Sequence, residues 1–193
     1  MDTTHSHFDV SRSLQAVEAI EQDLARLTAN LTECQFQAPP RTGGWSIGYC
    51  IEHLTLTGNG FLVEWDAALK AAAKQRLRSE GPFPYSLLQR SILMFAEPPY
   101  KMKVATTKPF VPYSRRSMDE TLRRFQKMHY ELAHCLFASQ GFDAARIKVK
   151  SPFLSWISYS LGMSFDLALA HERRHLWQAW RIRTKFTGEE KCA

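Results

Sequence analysis

The stretch Leu167-Ala168-Leu169-Ala170-His171-Glu172-Arg173-Arg174-His175-Leu176-Trp177-Gln178 contains neither Gly nor Pro and reads as continuous helix. At about 100° and 1.5 Å per residue, His171 and His175 lie about 40° apart around the axis and one turn apart along it. A single divalent ion can bridge two imidazoles so placed, and two nitrogens alone bind weakly, so the reading turns on a third ligand from another helix. Ser164, Leu167, Ala168, His171, His175, Gln178 and Ile182 fall on one face, which makes the histidine pair part of an inward-facing row. Gln178, one turn beyond His175, is placed for a hydrogen bond to a ligand or to substrate.

Working back toward the N-terminus, Leu14, Val17, Ile20, Leu24, Leu27 and Leu31 recur every three or four residues, the period of an amphipathic helix of about five turns. The cluster Ala38-Pro-Pro-Arg-Thr-Gly-Gly44 ends it. Ser46 then caps a second long helix carrying Ile47, Ile51, Leu54, Leu62, Trp65 and Leu69, which Gly58 and Gly60 weaken without breaking. From Glu80 to Tyr113 seven Pro and Gly residues leave room for only a short helix near Leu87 to Phe95, so residues 80–113 read as an irregular Pro-rich insertion. Ser117-Met-Asp-Glu120 has capping-box spacing and opens a third helix that Gly141 stops; a fourth runs from about Tyr159 to Thr184. Four long amphipathic helices without a convincing alternating strand predict an all-α, antiparallel four-helix bundle, with residues 1–193 forming one domain.

Bundles build metal sites from facing helices, and His53 on the second helix is the candidate third ligand. It shares a face with Tyr49, Cys50, Thr57 and Glu64, away from the core stripe, which places the site in a cleft at the margin of the core. Three neutral imidazoles leave a coordination position for water or substrate, and zinc, nickel or another divalent ion suits such a set. His171-Glu172-Arg-Arg-His175 also matches His-Glu-x-x-His, in which the glutamate is a general base. The wider zinc-protease context is missing, since Gln178 and Arg181 stand where an extended pattern needs Gly and His. Glu172 and His129 remain candidates for groups that support the ligands. His129 falls inside the apolar stripe of the third helix, where a satisfied core histidine is the competing account. His134 reads as surface, and His5 and His7 as part of a mobile terminus.

Trp45-Ser46-Ile47 through His53-Leu54, followed by His171-x-x-Arg174-His175-x-x-Gln178, resembles the DinB-like superfamily of metal-binding four-helix bundles over nearly the whole chain. The resemblance implies one divalent ion, commonly nickel or zinc, held by His53, His171 and His175. It also implies thiol S-transferase chemistry with a low-molecular-weight thiol as co-substrate. A hydrolase using metal-bound water and a non-catalytic small-ligand binding protein are the alternatives.

A net charge of +6 and a pI near 9.3 favour anionic partners in general, without saying which anion; the expected substrate is a small molecule. The basic residues are scattered and no nucleic-acid motif accompanies them, so neither nucleic acid nor membrane is expected as a partner. Cys34, Cys50, Cys135 and Cys192 show no Cys-x-x-Cys pair and read as reduced thiols of a cytoplasmic protein. Phe165, Leu169, Leu176 and Trp180 form a second apolar stripe on the fourth helix, roughly opposite the histidines. Either a homodimer through these four residues or ordinary packing under the 80–113 segment would cover it.

Overall fold

The computed structural model describes residues 6–99, 105–113, 115–154 and 156–186. Four long helices form the bundle: α1 (Val10–Thr28), α3 (Ile47–Gln75), α5 (Met118–Ala138) and α6 (Leu161–Arg183), with shorter α2 (Glu33–Gln37) and α4 (Leu87–Ala96). Their starts follow the side-chain chemistry of the sequence. Ser46 Oγ accepts from Tyr49 N–H, Ser117 Oγ from Glu120 N–H, and Thr32 and Ser86 make full capping boxes with Gln35 and Gln89. Asp9 caps α1 in the same way through Arg12 N–H.

Around the core, α3 packs on α5 and α6, and α1 packs on α5 and α6, so helices consecutive in sequence are not all neighbours in space. The pair that carries the histidines is antiparallel: His53 meets His171 while Trp65, further along α3, meets Ser164, earlier on α6. Two other pairs run parallel. Ser13 meets Asp166, Asp23 meets Trp180 and Leu27 meets Arg183 along α1 and α6; Glu52 meets Arg124 and Gly58 meets Met128 along α3 and α5. Parallel neighbours require the chain to travel back along the bundle before it re-enters. α3 is 29 residues, about 44 Å at 1.5 Å per residue. That geometry gives the Pro-rich connection a task, that of a crossover.

Parts of the crossover form regular elements. β2 (Phe83–Pro84) pairs antiparallel with β1 (His7–Phe8), and α4 lies on α6 through the fully buried Leu93. His7, expected in a mobile terminus, is therefore held in a strand; His5 lies outside the described residues. β3 (Lys148–Lys150) and β4 (Ser158–Ser160) form a second two-stranded ladder, too short to show alternation in the sequence. Among the described residues no helix is long and apolar enough to cross a membrane.

The core is aromatic at its centre. Trp65 lies between Phe61 at 5.2 Å and Phe165 at 4.4 Å, Phe8 stacks on Phe165 at 5.9 Å, and the Trp65 indole N–H donates to Ser164 Oγ at 2.8 Å. The glycines of α3 are close-approach positions: a Cβ on Gly58 would sit 2.3 Å from Met128 Sδ, and one on Gly60 3.1 Å from both Phe110 and Pro152.

Two expectations change here. Phe165, Leu169 and Leu176 are already buried inside the chain by α1, β1 and α3, and the partly buried Trp180 donates its N–H to Asp23. That apolar stripe has its cover within one chain and is not a free dimer surface. Cys34 is disulfide-bonded, while Cys50 and Cys135 are free thiols, so the cysteines are not uniformly reduced.

Candidate metal centre

α3 presents His53 and α6 presents His171 and His175 at the same level of the bundle, so that one ligand atom from each lies within 4.8 Å of the others. The Nε2 atoms of His53 and His171 are 3.3 Å apart. Two nitrogens each about 2.0–2.1 Å from a tetrahedral ion stand about 3.3–3.4 Å apart, so this spacing is that of a metal's ligand shell.

Each ring is prepared differently. His53 Nδ1–H donates to the carbonyl oxygen of Phe110 at 2.8 Å. A carbonyl can only accept, so this bond assigns the proton to Nδ1 and leaves the Nε2 lone pair directed at the cluster. Phe110 belongs to a 3-10 turn (Lys108–Phe110) that lies over α3 at Gly60, where no side chain obstructs it. The turn also buries His53, to 3% exposure. The sequence placed His53 at an open margin; the turn closes that margin, leaving His171 and His175 as the partly exposed members.

Trp45, just before the Ser46 cap, lies with its ring centroid 4.8 Å from His53 and 5.9 Å from His175, and Phe153 lies 6.0 Å from His171. Aromatic walls exclude water from the imidazoles, and the titration follows. Burial lowers His53, against a smaller opposing effect of the Phe110 carbonyl. Burial, then the neighbouring histidines and the Arg174 charge, hold His171 well below the ordinary imidazole value. Burial, His53 and Arg174 bring His175 down to about 3, with a hydrogen bond to Gln178 opposing. All three are neutral near pH 7, the state in which imidazole donates a lone pair. His175 Nδ1 is in addition buried with no hydrogen-bond partner, a cost that coordination would remove. The donor set and its orphaned nitrogen fit a borderline divalent cation such as zinc or nickel.

The other sequence candidates lie elsewhere. Glu172 turns from the triad toward α5, where His129 Nε2–H donates to its Oε2 at 2.9 Å. His129 is fully buried and Glu172 nearly so, while Glu21 of α1 approaches Nδ1 at 3.4 Å. A carboxylate engaged in that core pair is not placed as the general base of a His-Glu-x-x-His site. Cys50 is fully buried, and burial pushes its thiol up to about 12, which removes it as a neutral-pH nucleophile. His134 is exposed. Gln178 stays beside His175, partly buried.

Sequence reasoning missed two contributors. The Phe110 carbonyl is backbone and carries no residue signature. Trp45 was visible only as a landmark before the Ser46 cap, although an aromatic shortly before a ligand-bearing helix is a signal that could be used.

Among solved structures, the chain is similar to YfiT from Bacillus subtilis, described as a probable metal-dependent hydrolase with an unusual four-helix bundle topology. The two share 16% identity with a TM-score of 0.59, over 92% of this chain and 87% of that one, which is a likeness of fold. No curated protein matches the sequence. The model of the DinB superfamily matches residues 16–179, which include all three histidines and reach all four bundle helices, and the chain belongs to that superfamily.

Proposed function

We propose that His53, His171 and His175 hold one divalent ion, zinc or nickel, and that the chain is a metal-dependent enzyme acting on a small molecule, with thiol S-transferase chemistry as the leading reading. The observation that carries it is the ligand geometry: three neutral imidazoles converge, one with its tautomer fixed by the Phe110 carbonyl, and 3.3 Å separates two of the donor atoms. An ion in that set would act as a Lewis acid on a small thiol or on water, making it nucleophilic at neutral pH without a separate base. That suits a site into which no carboxylate turns among the described residues: Glu172 is engaged with His129 and Glu52 with Arg116. The chain's own residues do the rest. Trp45 and Phe153 keep bulk water from the imidazoles, Gln178 is in reach to orient a ligand beside His175, and the Arg174 charge favours an electron-rich nucleophile over a cation.

The second reading, hydrolysis with water as nucleophile, is favoured by the description of YfiT. The test begins with metal content of untagged, unchelated protein, wild type against His171→Ala/His175→Ala. About one zinc or nickel per chain, lost in the variant, supports the site. Turnover of electrophiles with and without small thiols then separates transfer from hydrolysis. Bound metal with ligand affinity but no turnover would make the chain a binding protein, and equal or absent metal in both proteins would refute the assignment.

A further inference from the structure

His171 and His175 share the open side of α6 with a second polar row. Arg174 and Gln178, also four residues apart, lie beside them, and the four positions span about 100° of the helix wheel. All four are partly exposed, whereas their neighbours Ala170, Glu172, Leu176 and Ala179 are buried. Residues three or four apart on a helix have Cβ atoms about 5–6 Å from one another, so the polar row stands one side chain away from the ligands.

The two consecutive arginines of this helix have different partners. Arg173 turns to Glu97 and makes a bidentate pair with its carboxylate. Arg174 stays beside the histidines, and its charge acts on both His171 and His175. Its guanidinium is steadied at the end of α4, where Nη1 donates to the Phe95 carbonyl at a long 3.5 Å and Cζ lies 6.0 Å from the Phe95 ring. A guanidinium so placed repels a divalent ion. Three neutral imidazoles bring no negative charge to offset the ion, and among the described residues no carboxylate turns in to do so. Trp45 and Phe153 make the surroundings less polar than water, which strengthens the repulsion. An anion from solution relieves it, and the same field draws that anion in.

We infer that Arg174, with Gln178 beside it, is the specificity-determining anchor of the centre, and that its small-molecule substrate carries a carboxylate about 5–6 Å from the reacting group. The inference rests on the metal centre proposed above and adds the charge and the span of what it takes. Shape selects the carboxylate. The planar guanidinium fork matches its two oxygens and the Gln178 amide offers a further N–H, whereas a phosphate would leave a further oxygen and a second charge unmet.

The test is isothermal titration calorimetry of the nickel-loaded full chain with two pairs of probes, each pair differing by a carboxylate: 3-mercaptopropionate against 2-mercaptoethanol, and succinic monohydroxamate against acetohydroxamate. In the wild type the carboxylate member should bind about tenfold tighter or more, as expected for one charge-assisted hydrogen bond. Arg174→Gln should remove that preference at unchanged nickel stoichiometry and circular dichroism, whereas loss of a merely structural contact would weaken both members alike. Comparing the ratio within a pair between proteins cancels differences in probe acidity. Arg174→Lys, which keeps the charge and loses the fork, should restore part of the preference. A preference in the thiol pair supports the anchor and assigns the carboxylate to the thiol; one in the hydroxamate pair alone supports it and assigns the carboxylate to another substrate. Equal affinities within both pairs, or a preference that survives Arg174→Gln, overturn the inference and leave the metal centre standing. A wild-type chain that binds no nickel overturns centre and anchor together.

Discussion

The pair formed by His129 and Glu172 makes a demand that pH and mutation can measure. His129 is fully buried on α5 and its Nε2–H bonds Glu172 on the diagonally opposite α6, whose side chain is 3% exposed, while Phe125 covers the ring at 4.2 Å. Burial by itself would lower the imidazole, but Glu172 and then Glu21 outweigh it, and the net shift is upward from 6.5. His129→Leu leaves the Glu172 carboxylate buried without its partner, a change that costs about 3–5 kcal/mol. In a chain of this size that lowers Tm by about 6–20 °C. A raised histidine stabilises the fold fully below its unfolded pKa, and that contribution is lost as pH rises through the folded pKa. The deficit of the variant should therefore be largest below pH 6.5 and shrink as pH rises through the raised folded value, above which the neutral ring keeps its hydrogen bond but not its charge. His129→Leu/Glu172→Met, which removes both partners, should recover most of the loss. Thermal unfolding followed by circular dichroism across that pH range reads all three proteins. A single-variant cost below about 1 kcal/mol, typical of a solvent-screened pair, or a deficit that grows with pH, would refute the assignment of an imidazolium in the core.

Other consequences are as direct. Glu172→Gln should keep the metal stoichiometry of the wild type while lowering Tm, whereas a zinc-protease glutamate would leave stability alone and abolish turnover; elemental analysis beside a melting curve distinguishes them. Zinc at about 1,000 times its Kd should add about 4 kcal/mol to the stability of the wild type and nothing to His53→Ala, read as a thermal shift that only the wild type shows. Gly58→Ala drives a methyl group to within 2.3 Å of Met128 Sδ, at a cost of about 1–3 kcal/mol; chemical denaturation should show that cost partly relieved by shortening Met128 to Val. Cys50, with its thiol pushed up to about 12 by burial, should resist iodoacetamide at neutral pH until the chain unfolds, a rate that mass spectrometry follows.

What could be read from the sequence was whatever the local chain decides. Ser46, Ser86 and Ser117 begin helices because a hydroxyl at that spacing satisfies a free N–H, and no distant contact is needed. Thr32-Glu-Cys-Gln35 carries the same signal for α2, a helix too short to add an apolar period to it. His171 and His175 share a face by helix geometry alone. Helix direction is different: that α3 and α5 run parallel depends on how the crossover from residue 76 to residue 117 travels, which periodicity does not encode. The burial of His53 likewise depends on a turn 57 residues away presenting a carbonyl. The second stripe of α6 was read correctly as apolar, but its cover comes from α1 and from Phe8, and a single helix wheel does not say which element supplies it.

α6 meets these demands on separate faces, and their independence bears on how a metal would bind. His171 and His175 face α3, Glu172 faces His129, and Leu169 and Leu176 face α1. The contacts that fix the rotation of α6 about its axis, among them Trp65 with Ser164, Asp166 with Ser13 and Tyr85, and Trp180 with Asp23, include no ligand. The helix is held in register by groups other than the histidines, so the 118-residue separation between His53 and His171 is closed by folding before any ion arrives. In small zinc domains the metal supplies the folding free energy itself. Here an aromatic core and three interhelical polar anchors already do so, and an ion bound by the triad would meet a preformed ligand set, with little ordering left to offset its affinity.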